Sequence, residues 1–216
     1  MPLFTPELCK RIASAAVLAP LVLWVVWMGG WPFWGLVLAA FAFSVYEGLS
    51  LAMRTRWSML VAPVVVVYLA VAMTAFVLLR DKGPIPVMAL LLAVWMTDVG
   101  AYAAGRLIGG PKMAPTISPN KTWAGLIGGI MGSMAAFYAV SLFTPGHENA
   151  VTLVAFGAVI AVVGQLGDLM ESLLKRQAQA KDSGSVIPGH GGVLDRIDSL
   201  LLAAPVFLLA LNGVSG

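Results

Sequence analysis

Seven long apolar runs dominate the chain, and short polar or glycine- and proline-containing stretches separate them. Each run is close to the roughly 20 residues that an α-helix needs to cross about 30 Å of hydrocarbon. A transmembrane β-barrel would instead show short segments of alternating polarity, which this sequence lacks. The pattern therefore predicts an all-α, polytopic transmembrane helix bundle of about seven spans. The predicted spans are 12–28, 31–52, 58–79, 85–108, 122–143, 150–174 and 193–212.

The composition supports an integral membrane protein. Of the 216 residues, 60% are hydrophobic and 11% are charged, and the mean hydropathy is +0.92. A soluble domain of this length needs more polar surface. The net charge of +3 gives no indication of nucleic acid as a partner. We predict a single membrane domain over 1–216, with N-terminal spans in 1–84 and the catalytic spans and cytoplasmic loops in 85–216.

The distribution of basic residues predicts the orientation. With a cytoplasmic N-terminus, eleven of the 13 Lys and Arg residues lie on the cytoplasmic side and only Arg80 and Lys82 lie outside. Such an excess is typical of cytoplasmic loops. It places the polar loops 109–121 and 175–192 in the cytoplasm. We expect a protein of the bacterial inner membrane.

Four carboxylates interrupt the apolar runs and mark a candidate site. Glu47, Asp98, Asp168 and Glu171 each lie within or at the edge of a predicted span, in its cytoplasmic half. A carboxylate at that depth costs several kcal/mol unless it is paired, hydrated or metal-bound. Their shared depth predicts that they serve one cavity.

The last two spans present polar faces. Asp168, Ser172 and Lys175 share one face of the sixth span at helical spacing, together with Glu171. Asp195 and Asp198 share a face near the start of the seventh span. Two simpler interpretations remain open: an interfacial helix end anchored by basic residues, and carboxylates that cap a helix N-terminus.

The stretch KDSGSVIPGHGGVLDRID, residues 181–198, concentrates acids, basic residues and glycines. This combination suits a metal-bound phosphate, because Mg²⁺ prefers one or two carboxylates plus phosphate oxygens, and glycines let backbone N–H groups approach phosphates. A metal-free ion-pair network is the alternative. The candidate phosphate ligands are Lys175, Arg176, Lys181 and Arg196, and His190 is a candidate phosphate ligand or proton carrier.

The loop before the fifth span has a similar character. Asp98 and Tyr102 lie one turn apart on the fourth span, and Lys121 and Thr122 lead into the fifth. Ser118 or Asn120 is expected to cap the fifth helix, whose N-terminus attracts phosphate. Topogenic charge plus a cap is the simpler alternative. The glycines that follow are expected to pack helices together: Gly125, Gly128, Gly129 and Gly132.

These motifs resemble the phosphatidate cytidylyltransferase, or CDP-diacylglycerol synthase, family. The signature comprises Ser172-x-x-Lys175-Arg176, Lys181-Asp182, His190-Gly191-Gly192 and Asp195-Arg196-x-Asp198, over about 27 residues. Two upstream segments are also similar to that family: Asp98-x-x-Ala101-Tyr102-x-x-Gly105-Arg106 and Ser118-Pro119-x-Lys121-Thr122-Trp123. The resemblance covers most of 85–212, whereas the first three spans match only in being apolar, with Glu47 as a candidate match to an acid of the second span.

The resemblance implies transfer of a cytidylyl group from CTP to phosphatidic acid, giving CDP-diacylglycerol and pyrophosphate for phospholipid synthesis. It implies a Mg²⁺ ion, for which Asp168 and Asp195 are the best candidate ligands and Asp198 is the next. A second cation is left open. Partners are CTP, phosphatidic acid and membrane lipids, with a homodimer left open. Catalytic candidates are Asp168, Asp195, Asp198, Lys175, Arg176, Lys181 and His190. Substrate-binding candidates are Ser118, Lys121, Thr122, Ser172, Asp182, Gly191, Gly192, Arg196, Asp98 and Tyr102.

The sequence departs from the family pattern at one position. Ala124 stands where the family commonly has Glu after Lys-Thr-Trp.

Three rival functions fit the sequence less well. A CDP-alcohol phosphotransferase would need an Asp-Gly-x-x-Ala-Arg start, which is not found. A CTP-dependent polyprenol kinase is less consistent with the His-Gly-Gly and Asp-Arg-x-Asp run. A transporter would need a site near the bilayer midplane that is reached from both sides.

Overall fold

The computed structural model describes residues 6–144, 150–186 and 191–214, which fold almost entirely as helices. Seven helices and one short hairpin follow in chain order. Their bounds are α1 Pro6–Met28, α2 Gly30–Ala52, α3 Ser58–Asp81, α4 Pro84–Leu107, β1 Lys112–Ala114, β2 Ser118–Thr122, α5 Trp123–Phe143, α6 Ala150–Gln177 and α7 Leu194–Val214.

The helices confirm the predicted apolar runs, because six of the seven both begin and end within about three residues of the predicted bounds, and α1 begins six residues earlier. Among the described residues, five helices are long and apolar enough to cross a membrane: α2, α3, α4, α5 and the Val151–Gln177 part of α6. In α1, the apolar helical stretch Ala16–Met28 is shorter. The fold is therefore that of an all-α membrane protein.

The glycines of α5 allow α4 and α5 to pack with backbone in direct contact. A Cβ atom added at Gly132 would overlap the backbone of Met96, and one added at Gly128 would overlap that of Gly100. Such close approach is typical of small residues in membrane helix pairs. The predicted packing role is confirmed, and it fixes the fourth span against the fifth.

The segment between α4 and α5 was not predicted as a hairpin. Strands β1 and β2 pair antiparallel, with Lys112 opposite Thr122 and Ala114 opposite Ser118. Thr122 caps α5, since its Oγ1 accepts a hydrogen bond from Gly125 N at 3.0 Å. The prediction that Ser118 or Asn120 caps this helix is therefore wrong, because the hairpin keeps both residues in the extended strand.

The bundle has two apolar clusters at different depths. One cluster joins all the helices at the end where Phe33, Phe76, Phe137 and Phe207 are buried. A smaller one joins α2, α3, α6 and α7 around Leu51, Leu69 and Leu194. The smaller cluster adjoins the acids of α6 and α7, and it positions the start of α7 against α2 and α3.

Candidate active site

Lys175 joins the two acidic helices. From the last turns of α6, its Nζ lies 2.7 Å from Glu171 Oε2 and 2.7 Å from Asp195 Oδ1 on α7. The side chains of Glu171 and Asp195 are 5% and 7% exposed. Breaking a buried ion pair by removing one partner is strongly destabilising. The polar faces predicted on the sixth and seventh spans thus meet, with the ammonium group between them.

Asp195 also orders the loop that precedes α7. Its Oδ2 accepts hydrogen bonds from Ser183 N, Ser183 Oγ and Gly192 N, each at 2.9 Å. Gly191 adopts a φ of 85°, a conformation that favours glycine. With Lys175 on Oδ1, the carboxylate has four donors, which matches its number of lone-pair sites.

Glu47 reaches the same loop from α2 and is 1% exposed. Its oxygens accept hydrogen bonds from Val193 N at 3.1 Å and Leu194 N at 2.9 Å, and Oε2 lies 3.0 Å from Ser183 Oγ, whose single proton serves either Glu47 or Asp195. The carboxylate therefore caps the N-terminus of α7, where the helix dipole favours negative charge. The sequence predicts that Glu47 serves one cavity with the other intramembrane acids, but it does not identify Glu47 as a catalytic or substrate-binding residue or predict that it caps α7.

Glycine is required around Glu47. A Cβ atom on Gly192 would overlap both Ser183 and the Glu47 carboxylate, and one on Gly184 would overlap Glu47. The glycines of the 181–198 stretch thus let a loop close around a carboxylate. Gly192 also donates its N–H to Asp195, so this donor is engaged within the protein.

A polar cavity of about 180 Å³ lies between α4, the start of α5 and α6. Asp168 lies at this cavity, where its Oδ2 pairs with Lys121 Nζ at 2.5 Å and its Oδ1 accepts from Ser172 Oγ at 3.1 Å. Asp98 lines the cavity from α4. The lining polar residues are Asp98, Tyr102, Asn120, Lys121, Thr122, Gln165 and Asp168. The two predicted cytoplasmic regions therefore form one site.

Asp198 connects the polar cavity with the Lys175 pairs. Its carboxylate interacts electrostatically with Asp168 and Asp98 on one side and with Glu171 on the other. Within the described part of the chain, its one hydrogen bond comes from Ser199 N, at 2.6 Å. Oε1 of Glu171 is buried and has no hydrogen-bond partner among the described residues. The Asp198 carboxylate and Glu171 Oε1 therefore keep acceptor capacity that the described residues do not use.

Two of the predicted phosphate or substrate ligands are engaged by neighbouring residues. Arg176 donates from Nε to the Ile117 carbonyl at 3.1 Å and from Nη1 to the Ala180 carbonyl at 3.4 Å, which joins the hairpin to the end of α6. Tyr102 Oη accepts from Arg106 Nη1 at 2.7 Å. Both contacts are exposed, so both side chains retain access to solvent.

The remaining candidates occupy different positions. The side chains of Lys181, Asp182 and Arg196 are exposed to solvent. Ser118 is half-buried in β2, and Thr122 is buried at the start of α5. The prediction for His190 lies outside the described residues.

The acids of the site suit a metal ion that takes some of its ligands from the protein and the others from a phosphate-containing substrate. The described residues contain no group of three or more His, Cys, Asp or Glu side chains arranged to hold a metal by themselves. Mg²⁺ commonly uses one or two carboxylates and takes its other ligands from phosphate and water. The donor set of Asp168 and Asp198, next to Lys121, is consistent with that chemistry.

The chain is similar to known cytidylyltransferases. Residues 53–214 match the cytidylyltransferase family. The phosphatidate cytidylyltransferase of Staphylococcus epidermidis is 39% identical over 180 residues, which is 82% of this chain and 68% of the relative. The phosphatidate cytidylyltransferase of Brucella suis biovar 1 is 32% identical over an alignment of 258 positions, which covers 94% of this chain and 93% of the relative. The phosphatidate cytidylyltransferase of Staphylococcus aureus (strain COL) is 40% identical over 146 residues, which is 68% of this chain and 56% of the relative.

Proposed function

This chain belongs to the cytidylyltransferase family, and we propose that the acidic site between α4, α5, α6 and α7 is where it performs its reaction. The protein transfers a cytidylyl group from CTP to phosphatidic acid, giving CDP-diacylglycerol and pyrophosphate. The observation that carries the assignment of the site is the pairing of Asp168 with Lys121 at one polar cavity, with Asp198 of α7 close enough to interact electrostatically with Asp168.

The reaction is an in-line displacement at phosphorus. An oxygen of the lipid phosphate forms a bond to the α-phosphorus of CTP, and the bond from that phosphorus to the bridging oxygen of the β-phosphate breaks. Pyrophosphate leaves with the bonding electron pair. The attacking phosphate is already anionic near neutral pH, so it needs no strong base. The protein's contribution is then positioning and neutralisation of charge.

For the metal, the proposal is a Mg²⁺ ion held by Asp168 and Asp198, with Asp195 and a second cation kept as predictions. When bound, Mg²⁺ acts as a Lewis acid on phosphate oxygens. Asp168 and Asp198 are favoured because their oxygens have few donors within the protein. Asp195 is less favoured because three donors surround its Oδ2 and the Lys175 ammonium group, which would repel a cation, lies on its Oδ1.

Basic side chains would bind the phosphates from two directions. Lys121 lies at the polar cavity, whereas Lys181 and Arg196 are exposed and free to turn towards a nucleotide. Lys175 is paired with Glu171 and Asp195 and holds these two carboxylates in place. Arg176 fixes the hairpin against α6, and this contact would keep Lys121 in place.

The orientation supports this chemistry. We propose seven spans with the N-terminus and the site on the cytoplasmic side of a bacterial inner membrane, where CTP is available. The support is the excess of Lys and Arg in the loops beside the site. Phosphatidic acid would then enter from the inner leaflet with its acyl chains still in lipid. The homodimer stays a prediction, and the mass of the detergent-solubilised particle tests it.

Purified protein in detergent tests the function and the metal site together. With phosphatidic acid, labelled CTP and Mg²⁺, we expect the label to enter the lipid phase. Asp168→Asn and Asp198→Asn should each lower turnover at least about a hundredfold, because loss of a group that stabilises transition-state charge has effects of this size. Both variants should also reduce the rise in melting temperature that Mg²⁺ causes, since a ligand of the folded state stabilises it.

The matched control is Asp81→Asn, which removes an exposed carboxylate at the far end of α3. This variant should keep both wild-type turnover and the wild-type response to Mg²⁺. Full activity in Asp168→Asn and Asp198→Asn would contradict the proposed metal site. Absence of labelled lipid with the wild-type protein would contradict the activity itself.

A further inference from the structure

A second cavity, wholly apolar and about 120 Å³ in volume, lies beside the acids. It is enclosed mainly by α2, α3 and α7, and we call it the α2–α3–α7 cavity. Representative lining residues are Val37, Ala40, Ala72, Phe76, Ile197 and Leu201. No polar side chain lines it, so it suits a hydrocarbon group rather than water.

The cavity begins at the level of the acidic site. Ile197, which lines it, directly precedes Asp198 on α7. Tyr68 on α3 lies four residues before the lining residue Ala72, a rise of about 6 Å along a helix. Tyr68 and Ile197 also pack against the same apolar cluster, which contains Ala72 and Leu201. The cavity therefore extends into the bundle along α3 and α7 from within about one helical turn of Tyr68 and Asp198.

Tyr68 stands between the two environments. Its hydroxyl oxygen is buried and has no hydrogen-bond partner among the described residues. It interacts electrostatically with Asp198 and Glu171. Buried hydroxyl groups normally have a hydrogen-bond partner. A donor of this kind, at the junction of an apolar cavity and an anionic phosphate-transfer site, indicates a ligand with an oxygen-rich head and an apolar tail.

We propose that the α2–α3–α7 cavity holds a segment of one acyl chain of the phosphatidic acid while the Tyr68 hydroxyl donates to an oxygen of its headgroup. The inference rests on the proposed function, since it concerns how that lipid is positioned. An acyl chain gains little hydrophobic energy on leaving lipid for an apolar cavity, because both surroundings are apolar. The cavity therefore acts mainly by alignment, so filling it should impair long-chain substrates and spare short-chain ones.

The test fills the cavity and compares two substrates. Ala72→Leu places a larger side chain in the cavity, and Ala70→Leu makes the same change on α3 at a neighbouring groove, which shares Val37 and Met73 with the cavity but not Ala72. The measurement is kcat/KM for dioleoyl and for dihexanoyl phosphatidic acid. We expect Ala72→Leu to lower the value about tenfold for the dioleoyl lipid, the size that overpacking typically produces. The dihexanoyl value should stay within about twofold of wild type, as should both values for Ala70→Leu.

Tyr68→Phe tests the polar end. Loss of a hydrogen bond to an anionic group should lower kcat/KM about tenfold for both lipids. Its melting temperature should not fall, because the hydroxyl has no protein partner among the described residues. A merely structural tyrosine would instead lose stability and leave kcat/KM unchanged.

A direct binding readout covers variants that fail to fold. Wild-type protein is irradiated with a phosphatidic acid that carries a diazirine in one acyl chain, and the labelled peptides are identified. Labels in 36–40, 68–79 and 197–204 support the proposal, whereas labels confined to residues away from the cavity lining overturn it. Equal losses for both lipids in Ala72→Leu, or the same selective loss in Ala70→Leu, also overturn it while leaving the proposed function intact. A wild-type protein that converts neither lipid refutes the proposed function and this inference with it.

Discussion

Replacing Glu47 should uncouple the start of α7 from the rest of the bundle. Three donors lie within hydrogen-bond distance of this carboxylate, Ser183 Oγ, Val193 N and Leu194 N, and it is almost completely buried. Glu47→Ala leaves these donors facing an apolar space. Glu47→Gln keeps the shape of the side chain, but its NH₂ group replaces an oxygen that accepts hydrogen bonds. At least one backbone or hydroxyl donor then faces another donor.

The cost follows from the number of donors. A hydrogen bond to a charged group contributes about 1.5–3 kcal/mol net, so three of them set an upper bound of roughly 5–9 kcal/mol. Relaxation of the loop and entry of water recover part of this, and we expect about 3–5 kcal/mol for Glu47→Ala and about 2 kcal/mol for Glu47→Gln.

The assay combines thermal unfolding in detergent with CTP turnover at saturating substrate. Both variants should melt at lower temperature, with alanine the lower, and kcat should fall, because Ser183 links Glu47 to Asp195. Asp81→Asn, an exposed acid on α3, should change neither quantity. A Glu47→Ala protein with wild-type melting temperature and kcat would refute the reasoning that this carboxylate holds the loop.

Three further substitutions separate stability from catalysis. Lys175→Met should cost about 3–5 kcal/mol of unfolding free energy, since it leaves Glu171 and Asp195 buried without their cation, and chemical denaturation measures it. Gly132→Val should prevent α4 and α5 from closing together, seen as loss of the folded, monodisperse fraction in gel filtration. Arg80→Ala removes two hydrogen bonds to the last carbonyls of α1 and should lower the melting temperature with kcat per folded molecule unchanged.

The helices could be predicted because the bilayer imposes a length on apolar runs. That constraint reproduced the bounds of α2 and α3 within about two residues. The hairpin before α5 escaped prediction, because three- and five-residue strands carry no such constraint and one of them contains a proline. The cap on α5 was misassigned for the same reason, since β2 runs directly into the helix and makes Thr122 the boundary residue.

The acids could be predicted from their cost in an apolar setting, but their partners could not. Lys175 and Glu171 are one helical turn apart, a spacing visible in sequence, whereas Lys175 and Asp195 meet across 20 residues. The contacts of Glu47 span 136 to 147 residues. No local spacing encodes such contacts, which arise only when α2 packs beside the start of α7.

The balance of charge at the site supports the proposal that it binds a cation. In the described site, five carboxylates, on Asp98, Asp168, Glu171, Asp195 and Asp198, are near one another, and only two ammonium groups form ion pairs with them, those of Lys121 and Lys175. An excess of negative charge inside a bundle is costly, because charges there are poorly solvated. A bare triphosphate would add to that excess and be repelled. Mg²⁺ bound at the proposed site would offset part of this excess, so it should stabilise the folded protein as well as serve the reaction.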